Sequence, residues 1–159
     1  MFKVGVLTIS TKGAAGERED ASGDLLVASL AEHAEVVARG IVPDDKARIE
    51  QALRQWADDL RLPLILTTGG TGLSPTDVTP EATRTVISRE APGIAEAMRA
   101  ASLRQTPMGM LSRGIAGVRE QTLIINLPGS PKAVRECLEV VLPVLAHAVE
   151  LVTGERTEH

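Results

Sequence analysis

Four short aliphatic runs, Lys3–Ser10, Ala34–Pro43, Pro63–Thr68 and Thr122–Asn126, divide this chain, with helical patterns standing between them. The first, "KVGVLTIS", is rich in β-branched residues and reads as a strand buried on both faces. Strands that alternate with helices build βαβ units. The expected fold class is therefore α/β, a three-layer α/β/α arrangement with a mainly parallel sheet. Residues 1–152 are expected to form a single domain, and 153–159 ("TGERTEH") a frayed tail.

The helices announce themselves by spacing and by end signals. One starts near Ser22 or Asp24 and carries Leu25, Leu26, Ser29 and Leu30 inward. Asp44 stands where an N-cap belongs, and Ile49, Ala52, Leu53, Trp56 and Leu60 follow at helical spacing. "TPEATRTVISRE" opens with Thr79 as cap and Pro80 in the first turn. Another helix runs from Pro92 to just before Pro107, and "TPMGMLSRGIAGV" reads as a short helix followed by a turn. The last helix, from Pro131 to Val152, buries Val134, Cys137, Leu138, Val141, Leu145, Ala148 and Val152, with Pro143 expected to kink it.

Composition narrows the function. Phe2 and Trp56 are the only aromatic residues besides histidine, so base stacking on aromatic platforms is not expected. Seventeen basic against twenty-one acidic residues give a net charge of −4, a field that does not draw nucleic acid or an anionic membrane. Cys137 is alone, which excludes an internal disulfide, and its helix setting reads as a small buried hydrophobe. The N-terminus does not read as a signal peptide, and no apolar run reaches spanning length, so the expected compartment is the cytoplasm.

In open α/β sheets ligands bind beyond the carboxyl ends of the strands. The polar and glycine-rich residues gather at those exits: Ser10 and Thr11, Asp44, Thr68 to Asp77, and Leu127 to Pro131. In "LILTTGGTGLSPTDVTPEAT", Gly69, Gly70 and Gly72 permit positive φ and close approach of a ligand to main-chain amides, an anion nest. No Gly-Lys-Ser/Thr follows, so it is not a P-loop. A carboxylate at Asp77, near a helix start, is either a dipole or capping device or, beside such a nest, one end of a bridge to a cation, for which Mg²⁺ with one or two carboxylates plus substrate phosphates is the usual solution. Asp44 is the natural second ligand, and Asp45 beside it could exchange roles with it. "NLPGSPKAV" supplies a second anion-facing loop, with Gly129, Ser130 and Pro131 at the start of the last helix. In "MLSRG", Arg113 could fork onto phosphate or lie at the surface. His33, His147 and His159 lie apart and form no triad or metal cluster.

The motifs "TTGGTGLSPTDVTPEAT", "PGIAEAMR", "MLSRGIAGV" and "LIINLPGSPKAV", in this order, closely resemble the MogA/MoaB family of molybdenum-cofactor biosynthesis proteins, which includes the G domains of gephyrin-like proteins. The resemblance covers nearly the whole chain. It implies a molybdopterin-binding, MogA-like fold. It also implies a Mg²⁺-dependent reaction of molybdopterin with ATP that yields adenylylated molybdopterin and pyrophosphate. The product would pass to a molybdate-inserting partner, and the assembly would be a homotrimer or a hexamer. The resemblance carries the acidic, metal-directing pair onto Asp77 and Asp44 and the glycine loop, with Thr68, onto Gly69, Gly70, Thr71 and Gly72. The second loop falls on Pro128, Gly129, Ser130 and Pro131. Ser112 and Arg113 fall on the pterin side, with Ser10 a weaker member of the set. Many relatives carry an aspartate directly after the first strand where this chain has Thr11. The alternatives are a non-catalytic molybdopterin-binding or scaffold protein with the same fold, and a generic nucleotide-binding regulator.

Overall fold

Alternate residues of the strands go to opposite sides of one sheet, and both sides are buried at its inner strands. The computed structural model describes residues 1–156. Its strands are β1 (Phe2–Ile9), β2 (Ala34–Val42), β3 (Leu64–Thr68), β4 (Arg89–Glu90), β5 (Ala116–Arg119) and β6 (Thr122–Leu127), in spatial order β2-β1-β3-β6-β5-β4. The first four in that order are parallel, while β5 runs antiparallel to β6 and to β4.

On one side Val4, Val6, Leu64, Leu66, Leu123 and Ile125 meet α2 (Ala21–Leu30), α5 (Pro92–Gln105) and α6 (Pro131–Thr153) through Leu26, Leu30, Met98, Val134, Leu138 and Leu145. On the other side Leu7, Ile9, Ile65 and Ile124 meet α3 (Lys46–Arg54) and α4 (Thr79–Val86) through Ile49, Leu53, Ala82 and Val86. The two-residue period of a strand thus builds two apolar layers from one sheet, the three-layer α/β/α arrangement. The chain's single tryptophan joins the second layer. A Cβ on Gly5 would lie 2.7 Å from the Trp56 ring, so β1 needs glycine where the indole lies across it. Among the described residues no helix is long and apolar enough to cross a membrane.

Local departures from the sequence expectation have physical causes. Asp45, not Asp44, caps α3 by accepting from the Arg48 amide at 3.0 Å. After α3 the chain loosens into a π-helical turn, Gln55–Asp59, whose extra residue rotates Leu60 off the apolar stripe. Leu60 is 52% exposed, and Leu62 is buried instead. Thr79 is not a cap either: its hydroxyl donates to the Gly69 carbonyl and its amide to that of Gly70. The helix it opens stops at Val86, and Arg89–Glu90 pairs with β5. The segment after α5 is a short 3₁₀ turn, Pro107–Leu111, leading into β5. The "TKGA" stretch between β1 and α2 forms one helical turn, α1 (Thr11–Ala14), capped by Ser10. Helix α6 passes through Pro143 without interruption, Gly154 closes it in a left-handed conformation, and the Arg156 amide donates back to Glu150. The remainder of the expected tail, 157–159, lies outside the described residues.

Candidate functional site

The carboxyl ends of β2, β1, β3 and β6 open onto a cleft of about 470 Å³. Each strand exit contributes to it: Ser10 after β1, Asp44 after β2, Thr68 to Gly70 and then Asp77 after β3, and Gly129 to Pro131 after β6. Two contacts pull the last two loops together, and a third ties the second of them to α2. The Thr68 hydroxyl donates to the Pro128 carbonyl at 2.6 Å, the Ser22 hydroxyl to the Gly129 carbonyl at 2.6 Å, and the Gly69 amide to the Leu127 carbonyl at 3.3 Å.

Gly69 and Gly70 have φ of 101° and 69°, in the left-handed region, and a Cβ on either would collide with the Ile9 carbonyl or the Thr79 hydroxyl. The bend turns the chain away from the sheet directly at the strand's end. Thr79 holds the loop by its carbonyls, and the Gly70 amide has no protein acceptor among the described residues. Ser130 caps α6 through the Ala133 amide, so the positive end of the longest helix faces the same cleft.

Four carboxylates line the cleft, Glu19, Asp20, Asp44 and Asp77, and the two expected from the sequence are held differently. One oxygen of Asp44 accepts from both the amide and the hydroxyl of Thr11, at 3.1 and 2.9 Å, and the Asp44 amide donates back to the same hydroxyl at 3.1 Å. Its other oxygen lies against Gly70, 3.3 Å from where a Cβ would stand. Asp45 is occupied in capping, and of the two adjacent acids it is Asp44 that lines the cleft. Asp77 accepts from the Ser74 amide at 3.1 Å within its own turn. Among the described residues no group of three or more metal-ligating side chains exists. Asp44 and Asp77 are two of these hard carboxylates on one polar cleft, a donor type that fits Mg²⁺ completed by substrate phosphates and water.

A second cavity of about 210 Å³ lies beside the first, between α5, the 3₁₀ turn and the start of α6. Met98, Met108 and Cys137 give it apolar walls, with Arg99, Ser112 and Asn126 as polar points. Ser130 lines both cavities, so they share a wall. Asn126 is buried with its amide fully engaged: it donates to the Thr67 and Thr83 hydroxyls, each at 3.0 Å, and accepts from the Ile115 amide at 3.2 Å. Burial pushes the Cys137 thiol above its ordinary pKa, in keeping with a packing role.

The expected residues thus divide. Ser10, Asp44, Thr68, Gly69, Gly70, Asp77, Gly129, Ser130 and Pro131 share the first cleft, and Ser112 and Pro128, with Ser130 again, line the second. Thr71, Gly72 and Arg113 line neither. Arg113, expected to reach phosphate or pterin, turns its guanidinium to Glu81 and to the carbonyls of Gly72 and Asp77. Sequence reasoning missed Arg18 and Asp20 in the first cleft and Arg99 and Asn126 in the second. Asp20 carried a signal, a carboxylate ahead of a helix start; it caps α2 through Gly23 and accepts from Thr8 and Arg39.

The arrangement has known counterparts. Residues 5–147 match a family described as "Probable molybdopterin binding domain". The chain is 42% identical over 159 residues to the molybdopterin adenylyltransferase of Helicobacter pylori strain J99, covering 95% of this chain and 88% of that one. The molybdenum cofactor synthesis protein cinnamon of Drosophila melanogaster is 46% identical over 151 residues, but the match covers 93% of this chain and only a quarter of that protein (25%). Among solved structures, MoaB from Thermus thermophilus superposes with a TM-score of 0.92 at 59% identity, covering 97% of this chain and 98% of that one. A tungsten cofactor synthesizing protein MoaB from Pyrococcus furiosus superposes with a TM-score of 0.87 at 36% identity, covering 96% and 97%. The chain belongs to the MogA/MoaB family of molybdenum-cofactor biosynthesis proteins.

Proposed function

We propose that this protein transfers AMP from ATP to molybdopterin, releasing pyrophosphate. The observation that carries the reading is the placement of Asp44 and Asp77 on one cleft with the glycine loop, next to a second, more apolar cavity that shares Ser130. The polar cleft suits the polyphosphate. The second cavity suits a flat heterocycle with a few hydrogen-bonding edges, and Ser112 and Arg99 supply the matching polar points.

In this reading the terminal phosphate of the pterin attacks the α-phosphorus of ATP, a new P–O bond forms, and the bond to pyrophosphate breaks. Such a transfer needs positioning and charge neutralisation more than covalent help from the protein. The Gly69–Gly70 bend and the amino end of α6 hold phosphate oxygens by main-chain amides, and Ser130 sets the pterin cavity against the nucleotide cleft. Asp44 and Asp77 would hold Mg²⁺, which when bound supplies neutralisation of charge on the transferring and departing groups. A homotrimer or hexamer, a molybdate-inserting partner that takes the product, and a cytoplasmic setting belong to the same proposal. The relative named for tungsten cofactor synthesis supports the pterin step and leaves the final metal to a later one.

Incubating the purified protein with molybdopterin, ATP and Mg²⁺ should give adenylylated pterin by mass spectrometry, with one pyrophosphate released per product. Pterin binding without either product would replace the enzyme by a binding protein.

A further inference from the structure

Arg113 lines neither cavity, yet it makes four side-chain hydrogen bonds around the turn that carries Asp77. Its Nε donates to the Gly72 carbonyl at 2.8 Å and one Nη to the Asp77 carbonyl at 2.8 Å. The guanidinium therefore bridges the two ends of the 72–77 turn, and its own main-chain amide donates to the Thr71 carbonyl at 2.8 Å. Between those ends Leu73, Ser74, Pro75 and Thr76 are exposed. The other bonds of the turn are internal: the Ser74 amide donates to the Asp77 carboxylate, the Asp77 amide donates to the Ser74 carbonyl, and the Ser74 and Thr76 hydroxyls share a bond. Glu81, one helical turn along α4, takes both outer nitrogens of the guanidinium, at 2.7 and 3.2 Å, and fixes its plane.

We propose that Arg113, oriented by Glu81, is the positioning residue for Asp77: it closes the base of the turn and so sets where the carboxylate meets the cleft. The inference rests on the adenylyl-transfer reading for its catalytic consequence. A substrate-facing role for the arginine is displaced by the fork to Glu81, which already answers its charge. The position also explains why one short segment serves both cavities. Ser112 lines the second cavity, Arg113 grips the turn bordering the first, and Arg99 donates to the carbonyls of Ser112 and Gly114 at 3.3 and 2.8 Å from the other side. Segment 112–114 thereby holds the two sites in register.

The test compares wild type with Arg113→Lys, Arg113→Gln and Glu81→Gln. Hydrogen exchange of the ligand-free proteins reads the turn, thermal melting reads the fold, and steady-state kinetics read the consequence. Faster exchange confined to about residues 72–78 is expected, with the melting temperature nearly unmoved because the ion pair is half exposed. In kinetics, kcat should fall by roughly 10- to 100-fold, the scale of an ångström misplacement, with the molybdopterin KM unchanged. Lysine should not rescue, since a single ammonium cannot bridge both carbonyls and the carboxylate together. Unchanged exchange in the two Arg113 variants, or wild-type kcat despite faster exchange, would overturn the proposal. Glu81→Gln is the gentler change should either Arg113 variant misfold. If wild type itself transfers no AMP, the functional reading fails, while exchange still decides whether the clamp exists.

Discussion

Asp44 and Asp77 reach the same cleft but are fastened by opposite means. Asp44 is gripped at its carboxylate: Thr11 holds one oxygen with an amide and a hydroxyl, which leaves the other against the glycine loop. Asp77 is gripped through its main chain, by Arg113 on its carbonyl, while its carboxylate touches only the amide of its own turn. A change beside Asp44 should therefore act directly on a charge, and a change beside Asp77 should act through loop position. An aspartate in place of Thr11 would put a second carboxylate where the threonine offers a donor, so Asp44 has a partner there in place of a like charge.

Removing either charge breaks the comparison most severely. Asp77→Asn keeps the shape of the turn and should lower kcat by about 10²–10³, or about 3–4 kcal/mol of transition-state stabilisation, with pterin binding retained. Full turnover in a pyrophosphate-release assay would remove Asp77 from the mechanism. Asp44→Asn should cost on the order of 10², because the amide oxygen can still accept from Thr11 while the charge is gone. Its neighbour sharpens the contrast. Asp45→Ala should leave turnover intact and lower stability by about 1 kcal/mol, the usual cost of losing an N-cap. A denaturation midpoint beside a turnover number separates the two adjacent acids, and inactivity of the Asp45 variant would reverse their assignment.

That pair also shows how far the sequence could be read. Two adjacent aspartates ahead of a helix offer the same side chain for capping, and only the path of β2 decides which one turns to the cleft. The inner parallel strands β1, β3 and β6 were plain, because burial on both faces leaves a nearly unbroken apolar run. Strands β4 and β5 were not. Arg89 and Glu90 are both exposed, and Ala116–Arg119 begins with two small residues and presents no alternation. Gly117 lies where a Cβ would press into Ile87, so its size reflects a neighbour about thirty residues earlier that no local pattern reveals. The glycine loop and both acids were legible from chemistry at strand exits. The role of Arg113 was not, since two of its acceptors are backbone carbonyls about forty residues away in the sequence.

A smaller effect is expected at the Asp44 anchor. Thr11→Val removes the hydroxyl but keeps the main-chain amide, so half of the grip remains. A lost hydrogen bond to a charged group on this scale predicts about a tenfold fall in kcat, restored by Thr11→Ser. Wild-type turnover by the valine variant would show that the amide alone holds the carboxylate.

The smallest effect concerns pH at the Asp77 anchor. The Arg113 hydrogen bond, opposed by burial and aided by the nearby positive charge, holds the Glu81 carboxyl below its ordinary value of 4.5. A depressed folded-state value contributes stability that is fully present above the unfolded value and is lost as pH falls through the folded one. Wild type should therefore melt slightly above Glu81→Gln at pH 7, and the gap should close on acidification below about pH 4.5. The gap is small because the Glu81 and Arg113 side chains are 47% and 35% exposed, and solvent screens such a pair. Glu50 and Asp58, likewise depressed by Lys46 and Arg119, are common to both proteins and lower both melting temperatures alike, so they cancel in the difference. Paired melting curves in low salt at neutral and acid pH measure the gap. One that stays constant or widens on acidification would mean that Glu81 acts by packing, and the clamp would then owe its hold to the two carbonyl bonds of Arg113 alone.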